Sequence, residues 1–307
     1  MSDIVIGTRG SPLALWQANW IKAQLEKEHK GINVTLQIIQ TQGDKILDTP
    51  LAKVGGKGLF VKEIENALLD GSAHIAVHSM KDVPTDLPKG LFIASICERE
   101  DPRDAFVARL VKSFNELPQG AVVGTSSLRR QTQILHRRPD LKIVSLRGNI
   151  GTRVRKLTED KMDAIILAVA GLKRMEQAEI ITEYMSVEDS LPAVAQGAVG
   201  IEAREGDEEV LKLIKFLDHM KTRIAVETER AFLTRLEGGC QVPIAGHATV
   251  NGDEVTMDGL VGAVDGSVTY REKSVGKVGS HAAQGVSLAE SLLNKGAGEL
   301  LRAVYGK

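Results

Sequence analysis

At 307 residues the chain is too long for one ordinary hydrophobic core and suits two or three domains. With 43% apolar and 26% charged residues it has an ordinary globular composition, and 4% aromatics is too few for a protein that recognises nucleic acid by stacking. The formal net charge is −1, yet residues 129–174 hold twelve Lys/Arg against four acids, a local +8 that leaves −9 elsewhere and points to an anionic ligand rather than to bulk attraction to DNA.

Asp3 and Arg9 flank a short Ile4-Val5-Ile6 run, which lacks the basic start and long apolar stretch of a secretory signal. The longest apolar run, Ala164 to Ala170, is too short to span a bilayer, so a cytoplasmic protein with no membrane association is expected. The two cysteines, Cys97 and Cys240, are far apart and offer neither a disulfide framework nor metal-ligand spacing. No metal site is expected.

Ile4-Val5-Ile6 reads as the first strand. Ser11 then caps a helix with Pro12 at its first position and Leu15, Ala18, Ile21 and Leu25 as its apolar stripe. Val34, Leu36 and Ile38 alternate as a strand. A loop with Gly43, Gly55, Gly56 and Gly58 leads to a helix through Phe60, Ile64, Ala67 and Leu68. Strands follow at His74–His78, Leu91–Cys97, Ala121–Gly124, Lys142–Leu146 and Ala164–Val169, with helical segments between several of them. This β-α-β rhythm predicts α/β domains with parallel or mixed sheets and helices on both faces. The charged, Pro-bearing stretch Arg99 to Asp104 reads as a hinge, and a second crossover is expected near Leu191-Pro192. From about Met220 the pattern changes. A helix runs to Arg235, then Gly238-Gly239-Cys240, then strands at Ile244–Val250, Glu254–Val261 and Ser267–Ser274 joined by Asn251-Gly252 and Asp265-Gly266, then a long helix from about Ser280. That is a small antiparallel α+β domain. The expected division is 1–98 with 195–218, 99–194, and 219–307.

Polar residues collect just after the expected strands, where open α/β sheets bind ligands. Arg9 follows the first strand; Ser79, Lys81 and Asp82 follow His74–His78. Thr125-Ser126-Ser127-Leu128-Arg129-Arg130 opens a helix whose free N–H groups, hydroxyls and guanidiniums suit an anion, or is an ordinary cap with solvated arginines. Arg147, Arg153 and Arg174 recur after neighbouring elements. Asp82 suits proton transfer or stabilisation of a developing cation, or equally an ion pair or cap. Cys240, between glycines and Gln241-Val242-Pro243, is a candidate nucleophile or attachment point, while Cys97 reads as a small buried hydrophobe. Leu51 to Phe60 lacks the phosphate-loop spacing and reads as a Gly-rich mobile lid with Lys57 reaching from it, or as a plain loop.

Taken in order, eight segments make the chain resemble the porphobilinogen deaminases along nearly its whole length. They are Thr8 to Ala18, Asp48 to Phe60, His78 to Pro84, Cys97 to Phe106, Gly124 to Arg130, Leu146 to Asn149, Ala168 to Arg174 and Leu191 to Gly197, joined by Glu229-Arg230 with Leu236 to Pro243. The C-terminal strands and helix match only loosely, and no position carried over departs from the family pattern. The resemblance implies two domains like those of periplasmic binding proteins, with mixed sheets, and a small C-terminal α+β domain bearing an antiparallel sheet. It implies a dipyrromethane cofactor held by a thioether to Cys240, with Lys81, Asp82, Thr125, Ser127, Arg129, Arg130, Arg147 and Gly171 around it. Asp82 would be the main catalytic acid, assisting ammonia loss and stabilising the azafulvenium ion. Arg9, Ser11, Arg147, Arg153, Arg174, Lys57 and Gln196 would hold substrate carboxylates. Four porphobilinogen units would add in turn before water releases hydroxymethylbilane, with hand-over to a uroporphyrinogen-III synthase and a monomeric enzyme. The residues fit independently: each pyrrole brings two carboxylates, and a growing chain of them demands many Arg contacts.

Two rivals explain part of the pattern. A two-domain anion receptor accounts for the fold and the arginines but not for the third domain or Gly-Gly-Cys240. A nucleic-acid-binding protein accounts for the +8 segment but not for the scarcity of aromatics.

Overall fold

β1 (Asp3–Thr8) and β2 (Asn33–Ile38) run parallel, and the helix Pro12–Glu28 that links them turns Ala18, Ile21 and Leu25 onto Ile4, Ile6 and Val34. Each Ile or Leu sealed there contributes about 1.5–3 kcal/mol relative to exposure. The helix starts where the sequence requires: Ser11 Oγ accepts the Ala14 N–H and Pro12 occupies a first-turn position that has no N–H to satisfy. The computed structural model describes residues 3–45, 61–238 and 242–305. It divides into two units, Met1–Glu100 with Ala198–Arg223, and Asp101–Gly197 with Ile224–Lys307.

Unit 1 is built on a five-stranded sheet of order β2-β1-β3-β10-β4, with β3 at Ile75–Ser79, β4 at Leu91–Ile96 and β10 at Val199–Arg204. β10 is antiparallel to both neighbours, so the sheet is mixed, as expected. The sequence did not announce β10. Its Val-Gly-Ile-Glu-Ala-Arg run breaks the apolar pattern with Glu202, which the fold nevertheless buries completely. The helix Lys62–Leu69 packs Ile64, Ala67 and Leu68 on β3 and β4; Phe60, expected in it, lies outside the described residues.

Unit 2 holds a second mixed sheet of order β7-β6-β8-β5-β9: β5 (Asp104–Ala108), β6 (Val122–Gly124), β7 (Lys142–Val144), β8 (Ala164–Ala168) and β9 (Glu183–Tyr184). β6, β7 and β8 are parallel, while β5 is antiparallel to β8. Here the expected hinge needs correcting at its end. Asp104 already belongs to β5, and Ala105, Phe106 and Val107 behind it are buried. The third sheet is an antiparallel meander of β11 (Ile244–Asn251), β12 (Glu254–Gly262) and β13 (Thr269–Lys277). Gly252 at φ +61° and Gly266 at φ +75° make its turns. β13 begins two residues later than expected, and the long terminal helix is two, His281–Leu292 and Gly298–Tyr305, separated at Gly296 (φ +109°). Among the described residues no helix is long and apolar enough to cross a membrane.

The helix His281–Leu292 crosses the end of Met220–Arg235 at Gly285, where an added Cβ would press on the Thr228 carbonyl, the Phe232 N–H and the Ala231 side chain. Backbone cannot yield as a flexible side chain can. Gly285→Ala is therefore expected to destabilise by about 1–3 kcal/mol in denaturant unfolding; an unchanged midpoint would show that the two helices are not in close contact there.

Candidate functional site

In unit 1, β1 and β3 lie side by side and parallel, so their carboxyl ends open on one edge of the sheet. Arg9 leaves β1, and Ser11 begins the first helix; the cap uses the Ser11 oxygen as acceptor and leaves its O–H able to donate. β3 runs into a tight 3₁₀ turn, Met80–Asp82. Met80 is buried against Gly200, where a Cβ would collide with its sulfur, and its N–H donates to the Ala198 carbonyl at 3.0 Å. Anchoring Met80 inward turns its neighbours out: Lys81 is half-buried and Asp82 exposed. A cavity of about 70 Å³ is lined by Arg9, Ser11, Gln17, His78, Ser79 and Asp82, with apolar neighbours. Gln17 Nε2 donates to Ser79 Oγ at 2.9 Å on its wall. The structure thus brings together Arg9, Ser11 and Asp82.

Below the cavity His78 Nε2 meets Glu202 Oε2 at 2.9 Å in the core. Glu65 is buried close by. Burial first, and the Glu202 charge second, push its carboxyl up to about 7, with His78 pulling the other way.

In unit 2 the parallel strands β6, β7 and β8 gather Thr125 to Arg130, Arg147 to Arg153 and Val169 to Arg174 at one edge. Ser127 caps the helix Leu128–Arg137 by accepting the Arg130 N–H, and buried Thr125 Oγ1 accepts the Ser127 N–H at 3.1 Å. Arg147 is half-buried in the loop after β7. Gly148 follows at φ +113°, which only glycine adopts without strain, and Asn149 then caps the helix Ile150–Glu159. Arg153, also half-buried, donates from Nε to the Gly148 carbonyl at 2.8 Å. Gly171 is buried in the short helix Val169–Arg174, and buried Arg174 donates to the Gly197 carbonyl at 2.8 Å.

Arg129 and Arg130 require a correction. The expectation is an anion site or a cap with solvated arginines, with Arg129 facing ligand rather than core, and both side chains are buried. The reason is Asp104, a fully buried carboxylate at the end of the expected hinge. Arg129 donates to it from Nη1 at 2.7 Å and Nη2 at 3.1 Å, Arg130 from Nε at 3.1 Å and Nη2 at 2.7 Å, Ser190 from Oγ at 2.9 Å and Gln196 from Nε2 at 3.0 Å. Burial alone would raise this carboxyl, but the two guanidiniums outweigh it and hold Asp104 well below the usual carboxylate range. Gln196 also donates to the Pro102 carbonyl at 2.7 Å, so it too is anchored in the core. The signal in the sequence was an Asp abutting the apolar run Ala105-Phe106-Val107: a charge at that point of a buried strand requires partners. Lys57 and Cys240 lie outside the described residues. The chain on either side of Cys240 is anchored: the Gly238 N–H donates to the Leu233 carbonyl, and the Gly262 N–H to the Pro243 carbonyl.

A family model described as porphobilinogen deaminase, dipyromethane cofactor binding domain, matches residues 4–212, and one described as porphobilinogen deaminase, C-terminal domain, matches residues 223–294. Curated porphobilinogen deaminases of Syntrophotalea carbinolica and Geobacter sulfurreducens are similar at 60% and 57% identity, each over 99% of this chain and 96% of the relative. Among solved structures, a periplasmic substrate-binding protein of an ABC transporter from Coxiella burnetii has a TM-score of 0.44 at 13% identity, covering 70% of this chain and 91% of that one, a likeness too slight to carry argument.

Asp104→Asn would leave two buried guanidiniums without a counter-charge. It is expected to cost about 3–5 kcal/mol in denaturant unfolding. The native contribution is full above the ordinary carboxylate range, roughly pH 3.9, and is lost as pH falls through the depressed folded value. A cost near 1 kcal/mol or less would mean that the arginines find other partners.

Proposed function

The chain belongs to the porphobilinogen deaminase family, and from that premise we propose how its residues divide the reaction among them. The activity is that of a porphobilinogen deaminase, a transferase of tetrapyrrole biosynthesis that takes porphobilinogen as substrate and works with a dipyrromethane cofactor. In the proposed sequence four units join head to tail with loss of ammonia, and water releases linear hydroxymethylbilane.

One observation carries the assignment of Asp82: an exposed carboxylate at the mouth of a cavity whose other walls hold Arg9 and Ser11. When the C–N bond to ammonia breaks, positive charge develops on the methylene carbon left behind. A carboxylate fixed beside it lowers the barrier, because its charge is already in place when the cation forms. Arg9 and the Ser11 hydroxyl hold a substrate carboxylate at the same edge, and Lys81 adds a cation beside Asp82.

The cofactor's carboxylates suit the donors at the β6–β8 edge. Arg147 and Arg153 are half-buried there, two helices of ten residues open their N–H groups to it, and Arg129 keeps one buried Nε–H with no partner among the described residues. Thr125, Ser127 and the buried Gly171 complete that edge. Arg130, Arg174 and Gln196 support it from the core. When bound, the cofactor supplies the ring to which the first substrate is added. Cys240 is its proposed thioether anchor and Lys57 a substrate contact. We assign functional domains to residues 1–98 with 195–218, 99–194 and 219–307, and place a monomeric enzyme in the cytoplasm, passing its product to a uroporphyrinogen-III synthase. The receptor and nucleic-acid readings lose their ground, because the two family models match residues 4–212 and 223–294.

Asp82→Asn keeps the shape and removes the charge. Turnover is expected to fall by about 10²-fold or more while the cofactor stays attached. Turnover within a few-fold of the native enzyme would reduce Asp82 to a structural role. Arg147→Leu is expected to stall elongation or block cofactor assembly with folding intact; a variant that unfolds, with normal substrate handling in its soluble fraction, would identify a structural ion pair instead.

A further inference from the structure

Three titratable groups are packed together in the core of unit 1: His78 on β3, Glu202 on β10 and Glu65 on the helix Lys62–Leu69. Such a cluster is costly, since apolar residues of the same volume commonly match or exceed the stability of a buried ion pair. Glu202 also keeps one oxygen, Oε1, without a hydrogen-bond partner among the described residues. The other charged groups packed around Glu65 are engaged or distant. Arg204 of β10 donates to the Leu68 and Ala73 carbonyls and to Asp207, β4 carries no charged residue, and β1 carries only Asp3 at its start.

His78 also lines the cavity that holds Asp82 and Arg9, the charged groups it meets on that side. In the tautomer whose Nε2 carries the proton, the ring donates it to the Glu202 carboxylate, which accepts. That tautomer leaves Nδ1 as the basic nitrogen, with no hydrogen-bond partner among the described residues. An imidazole between a buried carboxylate and a reaction cavity has the arrangement of a general base with its orienting group.

We propose that His78 is the proton acceptor of this cavity, oriented by Glu202. The proposal rests on the Asp82 cavity being the place of reaction. Each condensation forms one C–C bond, between the methylene carbon of the incoming porphobilinogen and the free α-carbon of the ring at the chain end. It breaks the C–N bond, whose electrons leave with ammonia, and the α-carbon's C–H bond, whose electrons return to the ring. The proton passes to His78 Nδ1 and on to the ammonia, which departs as ammonium.

His78→Gln keeps a donor for Glu202 and removes the base. With porphobilinogen deuterated at its free α-carbon, this variant is expected to turn over about 10²-fold more slowly and to gain a primary isotope effect larger than the native enzyme's. Intact mass should still show the bound cofactor. Turnover within a few-fold of native, or slow turnover with the native isotope effect, overturns the proposal. Should His78→Gln fail to fold, Glu65→Gln decides. In the native protein Glu65, raised from 4.5 to about 7, contributes stability that is complete below pH 4.5 and lost as pH rises through about 7. Glu65→Gln is expected to flatten that loss and to remove a step near pH 7 from the pH profile of turnover; a flattened stability curve with an unchanged turnover profile makes the cluster purely structural. Asp82→Asn measured in parallel separates the two readings. Full activity in it, with His78→Gln slow, removes the role of Asp82 alone, and the reverse pattern removes that of His78 alone.

Discussion

A carboxylate without access to solvent stands at the first residue of β5, and much of unit 2 is arranged to tolerate it. Asp104 ties the start of that strand to Arg129 and Arg130 on the helix Leu128–Arg137 and to Ser190 and Gln196 on the crossover segment. Arg129 extends the network to the Leu191 carbonyl at 2.8 Å, and Arg130 to the Ile166 carbonyl on β8 at 2.9 Å. Four separate stretches of chain are therefore held by one charge. Removing any of them exposes the others' polar groups to an apolar core, which is what makes the junction specific. The same helix is gripped on another side by the β12–β13 turn: Thr132 Oγ1 donates to the Ala263 carbonyl at 2.9 Å, and the His136 ring bonds the Gly266 carbonyl at 2.9 Å. The helix that begins at the β6–β8 edge is thus also the one on which the β12–β13 turn is seated.

This network changes the meaning of the +8 segment. Arg129 and Arg130 answer to Asp104, Arg138 to Asp140 at 2.7 Å, Arg155 to Glu159 at 3.2 Å and Arg137 to Asp189 at 3.3 Å. Much of the apparent excess of positive charge serves the fold or is met locally. Arg147, in the loop after β7, and Arg153, in the first turn of the helix Ile150–Glu159, are both half-buried and are the arginines we propose to meet a carboxylated ligand.

What could be read from the sequence was whatever follows from local pattern. Ser11-Pro12 announced a helix start, alternation announced β1 and β2, and Asn251-Gly252 announced a hairpin turn; all three depend on neighbours within a few residues. β5 and β10 escaped for the opposite reason. Asp104 and Glu202 belong to strands only because distant residues, Arg129 and Arg130 in one case and His78 in the other, neutralise or bond them. The site divides in the same way. Arg9, Ser11 and Asp82 were legible as polar residues after strands, and a cavity joins them. The burial of Arg129 and Arg130 was not legible, since their run looks the same whether it caps a solvated helix or fills a core. His78 stood within a recognised segment, but its pairing with Glu202 spans 124 positions of sequence and no local pattern reports it.

The most direct test asks whether the growing chain is held covalently at Cys240 while cationic side chains bind its carboxylates. Intact mass of the purified protein is the measurement. It should exceed the sequence mass by two linked pyrrole units and, with limiting porphobilinogen, resolve into a ladder of species each one pyrrole heavier than the last. Cys240→Ser should lose the thioether adduct and Cys97→Ser should keep it, since Cys97 is buried. A fully active protein at bare sequence mass would contradict the tether and the role assigned to Cys240.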